Sequence, residues 1–230
     1  MAMTMKTLSV RPAARQTAVV ARASRPMWLP GSEAPKYLDR TLPADYGFDP
    51  LGLGENPETL KWYVQSELVH CRFAMAAVAG IILPGAIIPG FPQWYEAGEK
   101  AIAGSPFPYG TLVAIEIFLM GWAETKRWMD IRKPGSQGEA GSFLGFEGML
   151  KGTDQVGYPG GVFNPMGMGK DNFREMQTKE IANGRLAMLA FLGFVAQYEA
   201  TGKGPLVNLK EHLANPWANN FTTNGVSLPF

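Results

Sequence analysis

The chain has 230 residues, with 21 Lys or Arg against 20 Asp or Glu and a formal charge of +1. Residues 1–23 carry Lys6, Arg11, Arg15 and Arg22 and no acid; without them the chain is mildly acidic, and no basic stripe remains for a nucleic acid. A lone cysteine, Cys71, excludes an internal disulfide, and the two histidines, His70 and His212, leave little material for a histidine-built catalytic centre.

The N-terminal segment is basic, acid-free and rich in Ala, Val, Ser and Thr, and it lacks the apolar core of a secretory signal. That is the composition of an organelle transit peptide, expected over 1–23 with cleavage near Arg22-Ala23-Ser24. Residues 24–56 are rich in Pro, Gly and Asp and read as an irregular surface segment. Asn56-Pro57-Glu58 is a helix start: Asn caps, Pro takes the first helical position and Glu meets the positive end of the dipole. The helix is expected over about 57–88, with an uncharged window over Phe73–Ile88 that Pro84-Gly85 interrupts. A short helical piece follows at Trp94–Ile102. The second long helix is expected over about 108–131 and holds Glu116 within its apolar run. The third is expected over about 171–201. Leu206, Leu209 and Leu213 recur at helical spacing, so 205–214 reads as a short amphipathic helix at an interface.

None of the long helices offers eighteen uncharged apolar residues, so hydropathy alone leaves a soluble core open. Two features favour a membrane. Each helix reaches the ~20 residues needed to cross once its charged motif is included, and charges within a membrane are as a rule paired and functional. Basic residues are also uneven. Arg25, Lys36, Arg40, Lys126, Arg127, Arg132, Lys133, Lys151 and Lys170 lie before the first long helix or between the second and third, and only Lys100 lies between the first and second. The basic side is expected to be cytoplasm-like, the stroma in a chloroplast.

The chain repeats itself. Glu67-Leu68-Val69-His70-Cys71-Arg72-Phe73-Ala74-Met75 recurs as Glu180-Ile181-Ala182-Asn183-Gly184-Arg185-Leu186-Ala187-Met188, and Phe48-Asp49-Pro50-Leu51-Gly52-Leu53-Gly54 recurs as Phe163-Asn164-Pro165-Met166-Gly167-Met168-Gly169. Two copies of one supersecondary unit are implied. On a helix, residues three apart lie about 60° apart and residues five apart about 140°. Glu67 therefore shares a face with His70 but cannot easily reach Arg72, and the same holds for Glu180, Asn183 and Arg185. Crossing the copies pairs Glu67 with Arg185 and Glu180 with Arg72. This removes most of a cost of about 2.5–3.5 kcal/mol per charge at bilayer depth. Small residues after each motif (Ala74, Ala76, Ala77 and Gly80; Ala187, Ala190 and Gly193) are expected to allow close helix approach. Single Glu, His, Asn and Gln donors spread along helices suit a metal that takes most of its coordination elsewhere. A chlorophyll magnesium is such a centre: hard, and already held by four ring nitrogens.

These motifs, with Thr201-Gly202-Lys203-Gly204-Pro205-Leu206, resemble the chlorophyll a/b-binding light-harvesting antenna family of chloroplasts over about residues 43–218. The resemblance implies an all-α membrane protein with three transmembrane helices, the first and third crossed as a pseudo-twofold pair, plus short amphipathic helices, in one domain over 24–230. It implies magnesium ligation by Glu67, His70, Glu180 and Asn183, by Gln197 and His212, and on the middle helix by Glu124, paired with Arg127, and Glu116. Arg72 and Arg185 support the ligating acids. Two carotenoids, lutein or related xanthophylls, are implied beside Asp49-Pro50-Leu51 and Asn164-Pro165-Met166, whose loops could otherwise be simple helix lead-ins. Chlorophyll a, chlorophyll b and bound lipid complete the implied cofactors. The implied function is light absorption and excitation transfer in the thylakoid membrane, with no chemical turnover.

Trp28-Leu29-Pro30-Gly31, Glu116 and the ending Asn215-Pro216-Trp217 through Leu228-Pro229-Phe230 look most like photosystem I antenna subunits of a green alga or plant. The implied partners are the photosystem I core, neighbouring antenna subunits and thylakoid lipids. A photosystem II antenna is the runner-up. From another class, Glu67-x-x-His70 matches the ligand motif of di-iron carboxylate enzymes, although Asn183 is a poor iron ligand. A transporter would explain the repeat and the intramembrane charges, but three spans are few for a pathway.

Overall fold

The computed structural model describes residues 27–142, 144–150 and 155–227; the basic leader over 1–23, Lys151 and Leu228-Pro229-Phe230 lie outside them. Among the described residues six α-helices appear in chain order: α1 (Pro57–Ile87), α2 (Trp94–Ala103), α3 (Tyr109–Arg132), α4 (Glu147–Leu150), α5 (Phe173–Thr201) and α6 (Pro205–Ala214), with 3₁₀ turns at Ser136–Gly138 and Gly161–Phe163. There is no strand among the described residues.

Local chemistry sets the ends. The Asn56 side chain accepts the Glu58 N–H at 2.9 Å, and Pro57 opens α1 at a position whose N–H would have no helical partner. The interruption expected at Pro84-Gly85 does not end the helix. Pro84 removes one hydrogen bond toward the preceding turn, but α1 continues to Ile87, and the Ile88 N–H closes the last turn onto the Pro84 carbonyl at 2.9 Å. At the end of α5, Gly202 takes φ +66°, and its N–H donates to the Tyr198 carbonyl at 2.7 Å. Glycine adopts that left-handed cap at no steric cost.

The main helix–helix contact joins α1 and α5, and their neighbours fix its sense. Leu206 of α6 packs on Gly85 near the end of α1. Near the end of α5, Tyr198 stacks on Tyr95 of α2 with centroids 4.2 Å apart. At the other end, Gln65 donates to the Val156 carbonyl and Arg174 to the Arg40 carbonyl, at 3.5 and 2.8 Å. The two helices therefore run the same way, with their C-terminal ends gathered around α2 and α6. The middle helix α3 runs back against them: Trp128 near its end meets Trp62 near the start of α1, edge to face at 5.3 Å.

The protein core is small. Ala44, Leu68, Cys71 and Ile181 form it, with Tyr46, Tyr158 and Met188 packed against it. No residue of α3 is buried, and Ile115, Ile117, Phe118, Leu119 and Trp122 are all exposed. A run of exposed apolar side chains of this kind marks contact with something other than water. Among the described residues α1 alone is long and apolar enough to cross a membrane by length and composition, with a mean hydropathy of 1.6 over its best window.

Candidate functional site

Two reciprocal ion pairs lie where α1 and α5 meet. Arg185 donates to Glu67 through Nε at 2.7 Å and Nη2 at 3.3 Å. Arg72 donates to Glu180 through Nε at 2.8 Å. The Nη1 arm of each arginine reaches a carbonyl in the segment leading into a helix: Arg185 to Ala44 at 2.7 Å, Arg72 to Gly157 at 2.9 Å. Each guanidinium thus ties together both helices and one lead-in segment, the use its rigid fork suits best.

Between the pairs the helices touch. A Cβ on Gly184 would lie 2.2 Å from the Cys71 Cβ and 2.5 Å from its Sγ, so only glycine fits there. Cys71 is fully buried. Of the small residues expected after each motif to allow close approach, Ala187 is buried on α5. Added Cβ atoms on Gly80 and Gly193 would meet nothing within 4 Å. Both glycines lie nine residues beyond the Cys71–Gly184 contact, on the opposite side of their helices, and take no part in it.

Tyr158 adds a third layer on one side only. Its ring lies under the Arg72 guanidinium at 5.0 Å, and Phe173 meets it edge-on at 5.3 Å. Burial, then the nearby Glu180 carboxylate, push the phenol well above its ordinary pKa.

The neutral residues of the two motifs share one arrangement. The His70 Nδ1 lies 2.8 Å from the carbonyl of Ser66, four residues back, and the Asn183 Nδ2 donates to the carbonyl of Lys179, four residues back, also at 2.8 Å. An Nδ1–H bonded in this way leaves the His70 Nε2 lone pair outward, and the Asn183 bond leaves Oδ1 outward. Both residues are exposed on the helix surface. Each offers one neutral donor, oriented by its own helix, to a metal outside the protein core, as axial ligation requires.

On α3, Arg127 pairs with Glu124 through Nε at 2.9 Å and also through Nη2. Glu116 is exposed two turns earlier, with no ion pair among the described residues. Gln197 and His212 share an open cleft of about 950 Å³ between α5, α6 and the C-terminal tail, with Phe194, Leu206, Leu209 and Phe221 among its walls. The His212 Nδ1 lies 2.7 Å from the Asn219 carbonyl, so here too Nε2 is left as the acceptor.

The repeated loops also share a device. Asp49 Oδ1 accepts the Leu53 N–H at 3.1 Å, and Asn164 Oδ1 accepts the Met168 N–H at 3.0 Å, each four residues on. Asp49 in addition accepts the Tyr37 hydroxyl and the Gly54 N–H, both at 2.7 Å. The Tyr37 bond, then those from the loop, hold its carboxyl below the usual range, and the same bond raises the Tyr37 phenol to about 12. Asp49 and Asn164 are therefore loop closures. Pro50 and Pro165 follow them, and Leu51 and Met166 stand out as exposed apolar tips, 79% and 82% accessible.

No three His, Cys, Asp or Glu side chains converge among the described residues, and Glu67 and Glu180 are each engaged by arginine. A di-iron centre needs such a cluster; separate axial donors do not. Sequence reasoning missed Gly184 opposite Cys71, Tyr158, and the carbonyls of Ala44 and Gly157. The first was open to inference, because Cys71 and Gly184 hold the same position in the two copies.

The sequence matches the Chlorophyll A-B binding protein family over residues 34–199. It is 53% identical over 209 residues, 87% of this chain and 79% of the relative, to the chloroplastic photosystem I chlorophyll a/b-binding protein 5 of Arabidopsis thaliana. It is 46% identical over 201 residues, 84% of this chain and 72% of the relative, to the photosystem I chlorophyll a/b-binding protein 6 of the same plant. To the chloroplastic chlorophyll a-b binding protein P4 of Pisum sativum it is 48% identical over 204 residues, 86% of this chain and 77% of the relative. The chain belongs to the chlorophyll a/b-binding protein family, a pigment-binding family and not an enzyme family.

Proposed function

We propose that this protein is a light-harvesting antenna of photosystem I in the chloroplast thylakoid membrane, absorbing light and passing excitation to the photosystem. The observation that carries this is the matched pair of outward donors, His70 and Asn183, each oriented by a carbonyl four residues back and each beside an arginine-neutralised glutamate. Chlorophyll a and b absorb the light and transfer excitation. The chain's part is to hold them at fixed distance and orientation. Glu67, His70, Glu116, Glu124, Glu180, Asn183, Gln197 and His212 donate to magnesium, and Arg72, Arg127 and Arg185 balance the charge of Glu180, Glu124 and Glu67. Carotenoids lie against the exposed tips Leu51 and Met166 beside Asp49-Pro50 and Asn164-Pro165, and lipid covers the remaining apolar surface. The photosystem I core and neighbouring antenna subunits are the partners. The photosystem I reading draws on the relatives whose names carry it.

In this reading α1, α3 and α5 all span the membrane. At 24 and 29 residues α3 and α5 are about 36 and 44 Å long, more than the ~30 Å hydrocarbon core. The pairing of Glu67 with Arg185 and of Glu180 with Arg72 suits a pseudo-twofold crossing. Residues 1–23 are a transit peptide, and 24–230 form one domain. Detecting the protein by mass spectrometry in isolated photosystem I, with red-absorbing chlorophyll bands in the purified protein, tests the function; a colourless purified protein would sink it.

Because α1 and α5 run the same way, the mature N-terminus and the 133–172 connection face the stroma. Protease added to intact thylakoids should cut in one or both; protection of both, with cuts in 88–108, would overturn this topology. His70→Leu removes a donor but no charge. Reconstitution with extracted pigments should give a folded protein lacking one chlorophyll, and unchanged stoichiometry and spectrum would remove His70 from the ligands.

A further inference from the structure

The neutral donors His70, Asn183 and His212 are not all oriented by the same means. His70 and Asn183 each bond a carbonyl four residues back on their own helix. The carbonyl four back from His212 belongs to Asn208 of α6, but His212 bonds forward instead. Its Nδ1 donates to the Asn219 carbonyl at 2.7 Å, in the tail beyond the helix. Asn219 also holds the preceding residue of α6: its Nδ2 donates to the Glu211 carbonyl at 2.9 Å. Glu211 lies in the last turn of α6, where carbonyls lack partners within the helix. One tail residue thus grips two consecutive residues of α6, Glu211 through its side chain and His212 through its backbone. The tail fixes Asn219 in turn. The Asn219 N–H donates to the Asn215 carbonyl at 3.0 Å, and the Thr223 hydroxyl donates to the Ala218 carbonyl at 2.6 Å. Asn220 Nδ2 donates to the carbonyls of Pro216 and Trp217 at 3.2 and 3.1 Å.

We propose that Asn219 is a positioning residue for His212: its side chain fastens the tail to the end of α6, and its carbonyl then aims the imidazole. The chlorophyll on α6 is therefore held through the C-terminal tail, whereas those at His70 and Asn183 depend on their own helices alone. The inference rests on the proposed role of His212 as a magnesium ligand. The outer torsion of a histidine is broad and roughly two-fold, so the rotamer alone does not aim Nε2. A bond at Nδ1 sets both the tautomer and the plane of the ring. That bond lasts only while its carbonyl stays beside α6, and the Asn219 side chain keeps it there. Released from the tail, His212 is free to turn to the Asn208 carbonyl, the arrangement of His70, and Nε2 then points elsewhere.

The test compares Asn219→Ala, Asn219→Asp, Asn224→Ala and His212→Leu in the full chain. Each is reconstituted with extracted pigments and measured for chlorophyll per chain, low-temperature absorption difference against the unchanged protein, and thermal melting. His212→Leu should abolish the band of one chlorophyll. Asn219→Ala should shift or deplete that same band and no other. Asn219→Asp keeps the size of the side chain but not its N–H donors, so it should act like Asn219→Ala. Asn224 lies in the same tail but bonds Val226 and Ser227, and Asn224→Ala should leave every band in place. If His212→Leu retains full pigment, the ligand reading fails and the inference with it. Suppose His212→Leu loses one chlorophyll, but both Asn219 variants keep that band unmoved at full occupancy, with or without a lower melting temperature. Then Asn219 is merely structural and the inference alone is overturned.

Discussion

Arg185→Leu is expected to cost the protein more pigment than His70→Leu, although Arg185 donates to no metal. His70→Leu deletes a neutral donor on the helix surface and leaves every other bond intact. Arg185→Leu takes two charged bonds from Glu67 and a third bond from the Ala44 carbonyl. Breaking a buried ion pair by removing one partner typically costs about 3–5 kcal/mol. About a third of each side chain is exposed in the protein alone, but in the proposed arrangement that surface faces membrane and pigment, so water does not screen the loss. Glu67 then either stays charged and uncompensated or takes up a proton, which weakens it as a donor. Reconstitution followed by a pigment count and a thermal melt checks this. The exchange of Glu67→Arg with Arg185→Glu restores the charge balance but moves the carboxylate to α5, and should recover assembly better than it recovers the Glu67 chlorophyll. Full pigment and unchanged melting in Arg185→Leu would mean that the cross-helix pair does not hold the fold.

Much of this architecture can be read without coordinates, because its determinants are local or repeated. Asn56-Pro57-Glu58 starts α1 by capping chemistry within three residues. The spacing of Glu67 and Arg72 forbids pairing within a turn, and a second copy of the motif names the partner. What could not be read depends on distance across the fold. Tyr46 and Tyr158 stand at different distances before their repeated loops, so alignment does not reveal that Tyr158 packs under Arg72. Pro84-Gly85 reads as a helix break on propensity, but one missing hydrogen bond near the end of a helix is a small loss when the following N–H closes the turn. The small residues after the motifs suggested a close approach, and Ala187 is buried there, but the tightest contact is Cys71 against Gly184, within the motifs themselves. Sequence spacing gives the faces of two helices but not the point where those faces meet.

That point yields the last expected result. Gly184→Ala should prevent normal assembly, because its Cβ would fall 2.2 Å from the Cys71 Cβ, 2.5 Å from Sγ and 3.0 Å from Cα. Overpacking a core by a methylene costs about 1–3 kcal/mol where neighbours can shift. Here the neighbours are the backbones of two helices whose separation also sets the lengths of both ion pairs. Moving them apart stretches the 2.7 Å bond of Arg185 to Glu67 and the 2.8 Å bond of Arg72 to Glu180 together. The loss should therefore exceed packing alone and appear as a lower melting temperature with pigment missing at both repeat sites. Adding Cys71→Gly removes the Cβ and Sγ that clash and leaves only the close approach to the α1 backbone, which a small shift relieves. Helix propensity does not oppose the exchange, since α5 gains roughly 1 kcal/mol from Gly184→Ala and α1 loses only a few tenths from Cys71→Gly. The double variant Cys71→Gly/Gly184→Ala should thus recover most of the pigment and stability that Gly184→Ala loses, while Cys71→Gly alone leaves a small cavity and a modest drop. If Gly184→Ala binds full pigment and melts where the unchanged protein does, α1 and α5 do not meet at this pair, and the reciprocal bonds on either side of it lose the packing that sets their length.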